Sequence, residues 1–490
     1  MAFVRLHRLA WLAALLVGCA DDAGLHPDPL RPIDGPASPL TDVSADLDAL
    51  LEHGTLHGAC ASLPAPSGSS AEAAASRAAR LRCGKSMFFY ESFGTGGVPA
   101  SLLRFLLDNF PQEVGAGFAK LGMVPDPHSP QQLPLGLAPT AKLGGKIEAL
   151  AFTCASCHFA QLPDGRYAVG APNHRYAYGK QNLLVAVLPT VALQGPSGHA
   201  SQALDLVQPL VAKIQADMAL KNKLLLAVLP LSLAGTKAPV FPPDVEASYA
   251  AWRPGTMDFL IEPLPINDGV HTVSKIPALW ELPDPDEVAA SGMSNALLGW
   301  TGNTHSLEHF CRSFVEYGGG HLADWPDQKL APLWEYVYSL RRPAPSPAIA
   351  SDASSVAQGR RLFVQRGCIT CHDGPRGSGK RVYSFDEVGS DRALQDWLDP
   401  RGSGRPCCGA PDSPDSAPTH GIKSPRLVGM SAASRFLHNG SLDSLEQLFC
   451  LNRQRPGRSD PPFGDQGHTE TCDGLDDDEK RQLIAYLLAN

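Results

Sequence analysis

Apolar residues along this chain recur mostly at helical spacing. The stretch "AEAAASRAARLRCGKSMFFY", from Ala71, opens the first long helical signal. In "APLWEYVYSL", Leu333, Trp334, Val337 and Leu340 fall on one helical face, and Leu483, Ile484, Leu487 and Leu488 mark a last amphipathic helix. Asp476 and Glu479, three residues apart, have the spacing of a capping box for that helix. Two apolar runs, "NLLVAVLPTVAL" and "NKLLLAVLPLSLAG", are short and contain Pro189 and Pro230, so they read as buried helices rather than membrane spans. Strand-like alternation is sparse. The pattern predicts a mainly α protein.

Breaks in the pattern divide the chain. Residues 1–19 place Arg5 and Arg8 before an apolar run from Leu9 to Val17, the anatomy of a signal peptide. The ending Leu16-Val17-Gly18-Cys19 resembles a bacterial lipobox, which would make Cys19 the lipidated first residue of the mature chain. An ordinary secretory signal with an incidental cysteine is the plainer alternative. Residues 20–70, rich in Pro, Asp, Gly and Ser, read as a disordered lipoprotein tether. Residues 342–356 read as a linker, since the three prolines of "RRPAPSPAIASDASS" cannot continue a helix. Two domains remain, 71–341 and 357–490, each closed by a helix.

Charge and cysteines refine this picture. A net charge of −9 becomes −11 when Arg5 and Arg8 leave with the leader, which argues against nucleic acid as a partner. One lipidated terminus would anchor a soluble body to a membrane, on the periplasmic side or at the cell surface. Of twelve cysteines, setting aside Cys19 and two Cys-x-x-Cys pairs leaves Cys60, Cys83, Cys311, Cys407, Cys408, Cys450 and Cys472. Seven is odd, so at least one is free or paired between chains. Proximity in sequence suggests Cys60–Cys83 and Cys450–Cys472 as disulfides in an oxidising compartment, and leaves a vicinal Cys407–Cys408 pair open.

The chemistry lies in a motif that occurs twice, Cys154-Ala155-Ser156-Cys157-His158 and Cys368-Ile369-Thr370-Cys371-His372. One copy alone could be half a zinc site or a thiol–disulfide pair. A zinc site built from both pairs leaves the two histidines unexplained, and a redox motif would want a βαβ setting that the pattern lacks. Two copies ending in His in an exported chain are the signature of covalent haem attachment: the thiols bond the porphyrin and the imidazole reaches the iron. The expectation is two haem c groups, with His158 and His372 as proximal ligands.

A weaker repeat accompanies the motif. "KIPALW…LGWTGNTHSLEHF" from Lys275 parallels "KSPRLVGMSAASRFLHNGSLDSLEQLF" from Lys423, with about ten extra residues in the first copy. Aligning Gly302 with Gly440 also pairs Ser306-Leu307-Glu308 with Ser444-Leu445-Glu446, and places Trp300 opposite His438. The repeat points to duplication of one unit.

On these residues the chain resembles the bacterial di-haem cytochrome c peroxidase superfamily over roughly residues 80–490. That superfamily includes enzymes that mature a tryptophan-derived cofactor and the latex-cleaving rubber oxygenases. "VGAGF" before the first motif and "QGHTETCDGLDDDEKRQLIAYL" at the end lean toward the rubber-oxygenase-like branch, and "GRRLFVQRGCITCHDGP" resembles the opening of a cytochrome c domain. The resemblance implies two cytochrome c-like helical haem domains with long loops. It gives Trp300 the role of a relay between haems, against the plainer reading of a core aromatic. It makes His438 a structural histidine near the second haem and Glu316 an acid–base glutamate, although a surface Glu reads equally well there.

Distal ligands set reactivity, because an open sixth position admits peroxide or oxygen. The resemblance implies His468, or failing that Met430, opposite His372. It implies His174, sixteen residues beyond His158, as a displaceable ligand of the first haem, with a loop histidine as the alternative. Lys275 and the Ala433-Ser434-Arg435 segment stand where the peroxidases hold calcium, so calcium is not expected. The function expected is an exported haem oxidoreductase. The first haem would meet a small oxidant, peroxide or O2. The second would exchange electrons with a partner protein or small donor. A non-enzymatic electron carrier and an oxygen-dependent cleavage enzyme are the alternatives.

Overall fold

The computed structural model describes residues 30, 40–61, 70–129, 132–143, 147–233, 242–258, 273–294, 296–302, 304–345, 352–394 and 421–490. The signal segment, Cys19, Cys407 and Cys408 lie outside these residues. The architecture is mainly helical with four small sheets. No helix among the described residues is long and apolar enough to cross a membrane.

In chain order the helices that frame the two halves include α1 (Ser70–Tyr90), α2 (Ala100–Asn109), α3 (Cys154–His158), α4 (Tyr178–Gln194), α5 (Ser201–Ala216), α6 (Met218–Leu233) and α7 (Pro243–Ala251). They are followed by α8 (Leu307–Tyr317), α9 (Asp327–Ser339), α10 (Ala353–Gln365), α11 (Leu445–Leu448) and α12 (Asp477–Ala489). The helix α12 begins at the capping box read from Asp476 and Glu479, and buries Leu483, Ile484 and Leu487.

The same helix crossing closes each half. In the first, a Cβ added at Gly84 of α1 would lie 1.9 Å from the Pro332 carbonyl oxygen of α9. In the second, a Cβ added at Gly359 of α10 would lie 2.0 Å from the Gln482 carbonyl oxygen of α12. Only glycine permits backbones to approach so closely. The first half encloses two apolar cores, one around α1, α8 and α9 and one around α2 and α4–α7, while the second half has a smaller core of its own.

Two readings need correction. Residues 40–61 are not tether but part of the first domain. Leu40 bridges to Leu340, strand β1 (Val43–Ser44) pairs with Tyr167–Val169, and Asp42 accepts from Lys85 Nζ at 2.8 Å and Tyr336 Oη at 2.6 Å. Polar composition hid these contacts because the partners of Asp42 are distant in sequence. The second apolar run is also only half buried: α4 is enclosed along most of its length, whereas Leu225, Leu226 and Leu229 of α6 face outward. The expected linker is shorter than predicted, since α10 begins at Ala353. Both proposed disulfides, Cys60–Cys83 and Cys450–Cys472, are formed.

Candidate functional site between the two halves

The repeat folds alike in both copies. Two-stranded ladders, Thr256–Asp258 with Val273–Lys275 and Val382–Tyr383 with Ile422–Lys423, each end at the lysine that opens the Lys-x-Pro segment. Isolated bridges Leu298–Thr304 and Phe436–Leu442 fall at matching positions, and Ser306 and Ser444 cap α8 and α11 through the same side-chain bond. The copies also exchange backbone bonds. Lys275 N donates to His438 O at 2.6 Å, and Lys423 N donates to Trp300 O at 2.9 Å. The two halves therefore meet through a reciprocal contact, the intramolecular counterpart of a two-fold interface.

Each Cys-x-x-Cys-His imidazole is held by its far nitrogen. His158 Nδ1 donates to the Pro277 carbonyl at 3.0 Å, and His372 Nδ1 donates to the Gly377 carbonyl at 2.5 Å. Such bonds fix the tautomer and leave Nε2 as the lone-pair nitrogen. Burial pushes both imidazoles down to about 4, so both stay neutral at physiological pH, as ligation requires. Cys154 and Cys157, pushed up to about 12 by burial, line an apolar cavity of ≈ 550 Å³ with Phe152, Phe314 and Leu333.

That cavity adjoins a larger one of ≈ 1230 Å³ between the halves, with His158, Met257 and Phe310 lining both. Trp300 forms part of the larger wall, buried, its Nε1 donating to Lys275 O at 3.1 Å. Lys275 Nζ lies 5.1 Å from the Trp300 ring centre and 5.7 Å from that of Phe436. The titratable side chains on this wall are His158, His174, Asp258, Lys275, Lys423 and Arg426.

His174 is buried but does not face the cavity as a free ligand. Its Nδ1 accepts from Ser434 N–H at 2.9 Å, and its Nε2–H donates to the Ile276 carbonyl at 2.9 Å. An imidazole has two ring nitrogens and both are committed here. In this arrangement His174 links the second half to the first. Glu316 is exposed at the end of α8 and lines neither of these two cavities. The carboxylate that does reach the wall is Asp258, whose Oδ2 accepts from Tyr249 Oη at 3.3 Å. No motif in "GTMDFL" marks it.

The second site differs. The His468 ring stands 6.4 Å from that of His372, centre to centre. Two metal–imidazole bonds of about 2 Å, each with about 1 Å more to the ring centre, require about 6 Å. His468 adopts a left-handed backbone, φ +61°, a conformation uncommon outside glycine and one that surrounding structure must impose. Arg455 imposes it: its guanidinium donates to the carbonyls of Leu448, Asp465, Gly467 and His468, while Thr471 Oγ1 and the Cys450–Cys472 disulfide pin the same turn. Arg455 carried no sequence signal. Met430 lines the cavity beside Trp300 instead. His438 is buried against Phe385, shares a hydrogen bond with Ser390 Oγ at 3.2 Å, and is pushed down to about 4 by burial.

No protein-family model matches the sequence, and no curated protein matches it at a significant level.

Proposed function

We propose that the chain is an exported di-haem c-type oxidoreductase in which the first haem meets the oxidant and the second carries electrons. One observation carries this reading. Behind two equivalent Cys-x-x-Cys-His motifs the opposite sides differ, with His468 across from His372, whereas His174, which lines the same cavity as His158, is bonded to backbone on both nitrogens. The donor sets fit the group: each site offers two thiols and a neutral imidazole, with an apolar cavity beside the first pair.

Bound haem would supply reversible one-electron chemistry at both sites and an open coordination position where no second side chain binds. The remaining roles fall to the protein. Cys154 and Cys157 would hold the first group, and Cys368 and Cys371 the second. The Pro277 and Gly377 carbonyls orient the two proximal rings. Trp300, bonded to Lys275 of its own half and to Lys423 of the other, offers an aromatic bridge at the junction. Phe152, Phe310 and Phe314 exclude water from the first pocket, and the Tyr249–Asp258 pair presents a proton-bearing site at its edge. A lipid anchor at Cys19 would place this body on the outer side of a bacterial membrane.

A second reading, a carrier without catalysis, draws on Met257 and Met430, whose thioethers line the cavity near His158 and could close the first site. Electron paramagnetic resonance of the oxidised protein, with haem stoichiometry by pyridine haemochrome, tests both. Two haems, one high-spin and one low-spin, with peroxide or oxygen reacting only at the high-spin centre, is the expected result. Two low-spin centres inert to both oxidants would overturn the enzyme reading in favour of the carrier.

A further inference from the structure

The interdomain cavity carries more positive charge than the preceding roles use. Lys275 and Lys423 are 9% and 6% exposed, and both line it with Arg426. Burial alone pulls Lys275 down to about 8, and burial followed by the neighbouring Arg426 pulls Lys423 to about 7, with no carboxylate acting on either. Arg426 donates through Nη2 to the Ala278 carbonyl at 2.8 Å, and its buried Nε has no partner. Glu287, gripped by Arg376 through two 2.5 Å bonds, and Glu281, 3.7 Å from Arg342, offset part of the charge of Arg426, but neither acts on Lys275 or Lys423. Asp258, the carboxylate on the wall, already accepts from Tyr249.

A buried cation without a counter-ion is costly, and proteins pair it or neutralise it. Two lysines at equivalent positions of a duplicated element, converging from opposite halves on one cavity, instead form a receptor for an anion. The ligand must be planar or forked enough to reach Arg426 Nε, and must sit against the apolar walls formed by Ile276, Leu298 and Val428. An apolar body bearing carboxylates has that chemistry.

We propose that Lys275, Lys423 and Arg426 form a shared carboxylate cradle that receives the haem propionates, so that each half of the molecule contributes a lysine to charge held at the junction. The proposal rests on the di-haem reading above. It makes the three cations determinants of potential as well as of assembly, since a removed positive charge favours the oxidised, more positive state of a neighbouring redox centre.

The test is a potentiometric titration of the purified holoprotein and of Lys275→Gln and Lys423→Gln, with haem content measured in each. At full haem content, either neutral variant should lower one midpoint by a tenfold change in the redox equilibrium or more, about 59 mV for one electron. That midpoint should also become pH-dependent near neutrality, because the freed carboxylate takes up a proton. Lys423→Arg should restore both properties. Unchanged midpoints and pH slopes in both Gln variants would sink the cradle while leaving the di-haem reading intact. Absence of haem from the wild-type protein would end both.

Succinate separates the two sources of carboxylate. Midpoints of the wild-type protein that are indifferent to it support the resident propionates, and succinate-dependent midpoints would assign the cradle to a dissociable ligand instead. Should a Gln variant fail to accumulate, redox-difference infrared spectra of the wild type give the answer directly. Ionised carboxylate bands down to about pH 5 support the cradle, and protonated carbonyl bands near neutrality refute it.

Discussion

Two halves built on one repeat differ in how a second histidine is held near each Cys-x-x-Cys-His motif. In the second half, His468 is bent into a left-handed turn and held there by Arg455, Thr471 and a disulfide, so its ring faces His372. In the first, His174 points both nitrogens at backbone, one of them across the junction to Ser434. The lesson is that a histidine near a haem motif is defined by what its second nitrogen does. A ring with one nitrogen free can ligate, and a ring with both engaged is a structural staple.

The contrast breaks most visibly at His468. If the proposed haems are present, replacing it with Ala should convert the second centre from low-spin to high-spin while folding and haem attachment survive, because the turn is held by Arg455 and the disulfide rather than by the imidazole. A low-spin second centre in His468→Ala would show that another side chain ligates there, with Met430 the first to examine.

His174→Ala should do the reverse. The spin state of the first centre should not change, whereas stability should fall, since the Ser434 N–H and Ile276 carbonyl each lose a buried partner. At about 1–3 kcal/mol for the stranded Ile276 carbonyl and about 1 kcal/mol for the lost bond from Ser434, an exposed residue whose N–H can turn to water, urea unfolding should show a loss of roughly 2–4 kcal/mol. A spectral change at the first haem with stability preserved would restore His174 as a ligand.

Smaller still is the effect at the helix crossings. Gly84→Ala and Gly359→Ala each place a methyl group against a carbonyl about 2 Å away, so the helices must part. Overpacking of this kind costs about 1–3 kcal/mol. Thermal melts should register both, with Gly84→Ala acting on the first half and Gly359→Ala on the second. A variant as stable as the parent would mean that the crossing is not close.

How much of this was legible in sequence follows from range. Local signals were readable: the capping box of α12, the two disulfides spanning short loops, and the duplicated element, whose matching bridges and serine caps follow the alignment of Gly302 with Gly440. Long-range partnerships were not. Asp42, in a stretch that composition read as tether, finds Tyr336 across 294 residues, and His174, which the resemblance offered as a ligand, finds Ser434 across 260. For Glu316 the resemblance fixed its neighbourhood but not its facing. Lys275 was legible as the partner of Lys423 in the repeat and as a cation at a calcium position, but the convergence of the two lysines on one cavity required the fold.

The smallest expected effect compares two buried histidines, His174 and His438. Burial holds them at about 3 and about 4 in the folded protein, against about 6.5 when unfolded. The unfolded chain therefore binds more protons below pH 6.5. Stability is full above that value and falls as pH drops toward the folded values, by about 1.4 kcal/mol per pH unit for each histidine. His438→Gln should remove one share of this slope between pH 6 and pH 5, at little cost at neutral pH because Gln can keep the bond to Ser390. His174→Gln should remove the other share but lose neutral-pH stability as well, since one amide cannot reproduce a staple spanning Ile276 and Ser434. Equal neutral-pH stabilities for the two variants would show that the junction does not depend on His174, and the distinction between the halves would then rest on His468 alone.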